Sequence, residues 1–137
     1  MQGGILIIDY GSQYTQLIAR RIRENSVYCE IHPYNKVNLK LLKTLKPNGF
    51  VLSGGPNSTL DKGSPKIPKC MKFISKPILG ICYGLQLLIK DRGGKIRKSL
   101  SREYGYAKLK ILCSSEILPK KWINKSPIVW MSHGDSV

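Results

Sequence analysis

Pro77-Ile78-Leu79-Gly80-Ile81-Cys82-Tyr83-Gly84-Leu85-Gln86-Leu87-Leu88 decides the reading of the fold. An apolar run of strand length, Pro77 to Ile81, passes without a loop into Cys82-Tyr83-Gly84. A helix is expected from Leu85 to Arg92, ended by Gly93-Gly94. Short continuous apolar runs bounded by turn residues mark strands buried on both faces, and such strands belong to parallel sheets covered by helices.

The upstream chain repeats that pattern. Ile5-Leu6-Ile7-Ile8 reads as a buried strand ending in Asp9-Tyr10-Gly11-Ser12. Gln13 to Glu24 carries apolar residues at helical spacing, with Ser12 as its expected N-cap. Val27 to Ile31 is the next expected strand, closed by His32-Pro33. Asn38 is placed to cap a helix through Leu39, Leu41, Leu42 and Leu45, stopped by Pro47-Asn48-Gly49. Phe50-Val51-Leu52 is a third strand opening into Ser53-Gly54-Gly55-Pro56-Asn57-Ser58, and a short helix is expected near Pro68 to Ile74. Beyond the helix ending at Arg92, strands are expected at Tyr106 to Leu112 and Ile128 to Met131. Strands alternating with helices predict an α/β fold: an open, mostly parallel sheet with helices on both faces. Ligands of such sheets bind at the carboxyl ends of the strands. Four separated segments fall there in this reading: Asp9 to Ser12, Ser53 to Ser58, Cys82 to Gly84 and Ser132 to Asp135.

Composition narrows the function classes. The chain has 137 residues, 42% hydrophobic and 23% charged, a globular profile. No apolar run approaches the roughly 20 residues that span a bilayer. The amino terminus lacks the basic n-region of a secretory signal. Formal net charge is +15, from 17 Lys and 6 Arg set against 8 acidic residues. The lysines are scattered, mostly singly, from Lys36 to Lys125, whereas specific nucleic-acid readers lean on arginine forks and interleaved aromatics. No nucleic-acid partner is therefore expected. The four cysteines, Cys29, Cys70, Cys82 and Cys113, form no C-x-x-C pair and no zinc spacing, so reduced thiols in the cytoplasm and no metal are expected.

Gly80-Ile81-Cys82-Tyr83-Gly84 is G-x-C-x-G at a strand-to-helix junction, the pattern of a nucleophile elbow with Cys in place of Ser. Small residues two before and two after the nucleophile let the backbone turn sharply and hold the side chain exposed in a strained conformation. A helix opening just beyond Cys82 places partial positive charge near its sulfur. The N–H of Tyr83 points where an oxyanion would form. Ser53-Gly54-Gly55-Pro56 permits close backbone approach and is a source of a second oxyanion donor. It lacks the G-K-S/T of a P-loop, and Pro56 and Asn57 break the pattern of pyrophosphate-gripping loops. Ser132-His133-Gly134-Asp135 invites a dyad reading, but neighbouring loop residues rarely aim at one another, and His32 sits beside Pro33. The residues thus show a nucleophile and no convincing base.

Gly80 to Gln86 together with Ser53-Gly54-Gly55-Pro56 resembles the class I, triad-type glutamine amidotransferases. Asp9 to Arg21, Arg102 to Ala107 and Trp130 to Asp135 are similar to the GMP synthetases within that family. The resemblance covers essentially the whole chain. It implies a flavodoxin-like sheet that hydrolyses glutamine to glutamate and ammonia. Cys82 would be the nucleophile, and Gly55 and Tyr83 the oxyanion donors. Gln86, Ser132 and His133 would position glutamine, and Gly80 and Gly84 would form the elbow. It further implies that the domain itself needs no cofactor. An ATP-using synthetase domain, in cis or in trans, would use ATP and magnesium on xanthosine monophosphate. The family's catalytic His and Glu lie in a later F-H-P-E segment, absent from these residues, as are the ATP-using and dimerisation domains. Residues 1–137 are therefore expected to be a glutamine amidotransferase domain incomplete at its C-terminus and inactive alone. The rival readings are an amidotransferase subunit serving another acceptor and a non-catalytic relic that only binds.

Overall fold

The computed structural model of the chain describes residues 3–136, with the side chains of 99–103 and 132–136 outside that description. The chain divides into two units, one ending at Arg97 and one running from Lys98 to Ser136.

The first unit is built on four strands: β1 (Ile5–Asp9), β2 (Cys29–Pro33), β3 (Gly49–Leu52) and β4 (Ile78–Gly80). They lie in the order β2-β1-β3-β4, every pairing parallel. Three helices accompany them: α1 (Thr15–Glu24) and α2 (Leu39–Leu45) between strands, and α3 (Tyr83–Asp91), which follows β4. Strand side chains alternate between faces, so one strand builds two cores. Leu6 and Ile8 of β1, with Phe50 and Leu52 of β3, pack beneath Leu41, Leu42 and Leu45 of α2 and Leu87 and Leu88 of α3. Ile7 and Val51 point the other way, onto Ala19, Ile18 and Ile22 of α1. Helices therefore cover both faces, as the alternating pattern predicts. Ile7, Ile8 and Leu52 are fully buried, and each such side chain contributes roughly 1.5–3 kcal/mol over the exposed state.

Local chemistry sets the helix ends. Asn38 caps α2 by accepting the Leu41 N–H at 3.0 Å, and Lys46 closes it in the left-handed region, ahead of Pro47. Helix α1 departs from expectation: it begins at Thr15, and Ser12 is not its N-cap. The Ser12 hydroxyl instead accepts the Tyr14 N–H at 3.0 Å, fixing a turn one step upstream. The short helix expected near Pro68 is a 3-10 turn over Lys69–Phe73. Beside α1, an apolar groove of about 600 Å³ opens over the sheet, lined among others by Leu17, Ile22, Leu79 and Ile81.

The second unit is a two-stranded sheet of β5 (Arg97–Lys108, crossing the boundary) and β6 (Ile128–Ser136). Tyr106 and Trp130 meet edge-to-face across it at 5.2 Å. Both strands run differently from expectation. Strand β5 begins nine residues earlier than Tyr106, and β6 continues through Ser132-His133-Gly134-Asp135, which lie within a strand and not in a loop after one.

Candidate functional site

In this strand order the chain turns one way after β1 and the other way after β3. The crevice between their carboxyl ends is where open α/β sheets bind ligands. The Asp9 to Ser12, Ser53 to Gly55 and Cys82 to Gly84 segments leave the sheet at this edge, from β1, β3 and β4.

Cys82 sits at the last residue before α3 with φ 51° and ψ −115°. Side chains other than glycine rarely adopt this region, which costs of order 1–3 kcal/mol and is held only by surrounding structure. That structure is visible. A Cβ on Gly84 would lie 2.3 Å from the Leu52 carbonyl oxygen, and one on Gly80 would lie 2.6 Å from the backbone of Leu85. The two glycines therefore let α3 fold back against β4 and lie on β3. The Gly84 N–H donates to the Ser53 carbonyl at 3.1 Å, and the Gln86 N–H donates to the Cys82 carbonyl at 3.1 Å. The outcome is an exposed thiol at the mouth of a helix.

The glycine pair after β3 lies against this thiol. A Cβ on Gly54 would come 3.4 Å from the Cys82 Cβ and 3.5 Å from the Ser12 hydroxyl, so three loops converge there. Gly55 is tucked under Tyr10, whose carbonyl oxygen would meet a Cβ at 2.5 Å. Among the described residues no backbone carbonyl takes the N–H of Gly55 or of Tyr83. Tyr83 is the first residue of α3, where an N–H has no acceptor within the helix. These donors and an exposed thiol can support acyl transfer: attack at a carbonyl carbon, with the developing oxyanion held by N–H groups.

The crevice floor is braced by groups whose roles the sequence left unassigned. An Asp9 carboxylate oxygen accepts from the Gly11 N–H at 2.9 Å, the Thr15 hydroxyl at 2.8 Å and the Ser53 hydroxyl at 3.4 Å. The fully buried Ser53 hydroxyl accepts the Tyr10 N–H at 3.0 Å. The Tyr83 side chain points into the core, where it and Tyr34 flank Tyr10 with centroid separations of 5.5 and 5.4 Å. Burial, with the neighbouring Tyr83 and Tyr34 phenols, pushes the Tyr10 phenol above its ordinary value, and burial does the same to Tyr83. Both hydroxyls strap the loop before the 3-10 turn: Tyr10 donates to the Lys66 carbonyl and Tyr83 to that of Pro65.

The remaining site expectations fall elsewhere. Gln86 lies on the first turns of α3, half-buried. Ser132 and His133 belong to β6, and their side chains lie outside the described residues. His32 pairs with Glu30 at 2.9 Å, but β2 stands three strand spacings from β4. That is about 14 Å, too far to serve Cys82. Among the described residues no group of three His, Cys, Asp or Glu side chains is placed to hold a metal ion. No helix among them is long and apolar enough to cross a membrane.

Residues 6–137 match the family described as glutamine amidotransferase class-I. The chain is 49% identical over 133 residues to the GMP synthase (glutamine-hydrolyzing) of Brachyspira hyodysenteriae, covering 97% of this chain and 25% of that protein. It is 51% identical to that of Elusimicrobium minutum, covering 97% and 26%. The chain thus spans about a quarter of the length of these curated relatives. Among solved structures, a protein from Thermoplasma acidophilum described as a GMP synthase subunit superposes with a TM-score of 0.72 at 30% identity, over 98% of this chain and 66% of that one.

Proposed function

The chain belongs to the class-I glutamine amidotransferase family, and from that premise we propose that it is the glutaminase portion of an enzyme that releases ammonia from glutamine for the amination of xanthosine monophosphate to GMP. The observation that carries the reading is Cys82, held exposed at φ 51° on an elbow closed by Gly80 and Gly84 and faced by the Gly54-Gly55 loop. The Cys82 sulfur attacks the side-chain amide carbon of glutamine. The N–H groups of Tyr83 and Gly55 receive the oxyanion. Collapse breaks the C–N bond, and the nitrogen takes up the proton that the Cys82 thiol gave up and leaves as ammonia. The resulting glutamyl thioester is hydrolysed by water to glutamate and free thiol. Gln86, on the first turns of α3, helps position the glutamine. The GMP reading is supported by the names and identities of the relatives. In it, an ATP-using synthetase part, in cis or in trans, activates xanthosine monophosphate with ATP and magnesium and consumes the ammonia.

A glutamine analogue carrying an electrophile at the amide carbon tests the core of this. Cys82 is expected to be labelled first, and glutamine to protect it. Cys113 is also exposed and serves as an internal control. Faster labelling of Cys113, or no protection by glutamine, removes Cys82 as the nucleophile.

A further inference from the structure

Four of the lysines that are separate in the sequence are brought together in the fold. Lys66, Lys69 and Lys72, from the loop and the 3-10 turn after β3, and Lys90, from the last turn of α3, line one cavity of about 340 Å³. A single acidic residue, Asp91, shares the lining. The apolar part is formed by Ile67 and the buried Leu87. Four ammonium groups around one concavity repel one another, and a low-dielectric wall strengthens the field they project into it. One is already oriented: Lys90 donates to the Thr59 carbonyl. Thr59 lines the same cavity, and its buried hydroxyl has no hydrogen-bond partner among the described residues. Buried hydroxyls in native proteins are ordinarily partnered. The volume falls in the range of small-molecule sites, which pair an apolar wall with a few convergent polar groups. The lining takes Leu87, Lys90 and Asp91 from α3 and no residue of Asp9 to Ser12, Ser53 to Gly55 or Cys82 to Gly84.

We propose that this lysine-lined cavity binds a phosphorylated small molecule of nucleotide size, its phosphates among Lys66, Lys69, Lys72 and Lys90 and its body against Ile67 and Leu87. The site takes anions and is separate from the one that would take glutamine. Its occupation bridges the strapped loop to α3.

Equilibrium binding to the full chain tests this, with ADP, inorganic pyrophosphate and adenosine as probes at low and moderate salt. ADP is expected to bind and pyrophosphate to compete with it, while adenosine, lacking the charge, binds at least tenfold more weakly. The double substitution Lys69→Gln/Lys72→Gln removes two charge-assisted contacts and is expected to weaken ADP by about tenfold or more. All four lysines are exposed, so folding, checked by far-UV circular dichroism, is expected to be unchanged. The control Lys120→Gln/Lys121→Gln, outside the cavity, is expected to leave binding intact. No ADP binding at low salt, equal binding of adenosine, or equal weakening by the two double variants overturns the proposal. The last result would reduce the effect to net charge. Because the probes do not react with Cys82, failure here is distinguishable from failure of the glutaminase reading.

Discussion

Gly84→Ala is the sharpest test of the elbow, because two effects of opposite sign compete at one methyl group. In an unconstrained helix, replacing Gly by Ala stabilises by about 0.8–1 kcal/mol. Here the new Cβ would sit 2.3 Å from the Leu52 oxygen and 2.6 Å from the Leu52 Cβ, against the 3.4 Å at which ordinary contact begins. Helix α3 must therefore move off β3 by about 1 Å, and the Leu52 carbonyl is backbone that cannot rotate away. That displacement lengthens the 3.1 Å Gly84 N–H to Ser53 bond beyond useful range, while the 3.0 Å bond to the Ile81 carbonyl keeps the N–H partnered. Overpacking of this kind costs roughly 1–3 kcal/mol, and the loss of one bond from a donor that keeps another acceptor adds about 0.5–1.5 kcal/mol. Against the propensity gain, the net expectation is a loss of about 1–3 kcal/mol, which lowers Tm by roughly 4–24 °C for a unit of this size. Far-UV circular dichroism melts read the stability, and the alkylation rate of Cys82 reads the elbow. Both are expected to change together. A melting temperature equal to or above the parent's would show that α3 adjusts freely and that no tight elbow exists.

Asp9→Ala removes the acceptor shared by Gly11, Thr15 and Ser53; a loss of about 1.5–3 kcal/mol in urea denaturation is expected, larger than for Thr15→Ala alone, which leaves the carboxylate its other partners. Tyr10 and Tyr83 hold their protons more tightly folded than unfolded, so their contribution to stability is fully present below the ordinary phenol value of about 10. It is lost as pH rises beyond that, because the unfolded chain ionises first. Stability measured from pH 8 to 11 should fall above pH 10, and Tyr10→Phe should flatten the fall; a parent profile flat to pH 11 would refute the assignment.

Where residues carry their own instructions, the sequence was readable. Asn38, three residues before the Leu41 N–H it accepts, marks the start of α2. The runs Ile5–Ile8 and Phe50–Leu52 are strands because they are apolar on both faces. Gly80 and Gly84 flank Cys82 at the spacing an elbow requires, and the structure shows backbone packed where their side chains would be. The misreadings lie where a distant partner decides. Val27 and Tyr28 look like strand, but the register begins at Cys29, opposite Ile5, leaving both partly exposed. The opening of β5, Arg97-Lys98-Ser99, has no apolar signature at all, so nothing local marks it as strand. Asp9 reads locally as a strand end, and only the fold brings Thr15 and Ser53 to it. The four lysines of the cavity, spread from 66 to 90, are likewise gathered only by packing.

The strand order carries a consequence for synthesis. Chain order and assembly order coincide in the first unit: β2 finds β1 already made, β3 finds the free side of β1, and β4 finds β3. Every element that shapes the elbow precedes Arg92. A ribosome adding about 5–20 residues per second needs roughly 2–9 s more to reach Ser136, whereas mixed α/β domains of this size fold in milliseconds to seconds. The nascent polypeptide can therefore begin to close its sheet around Cys82 while the residues of β6 are still being added.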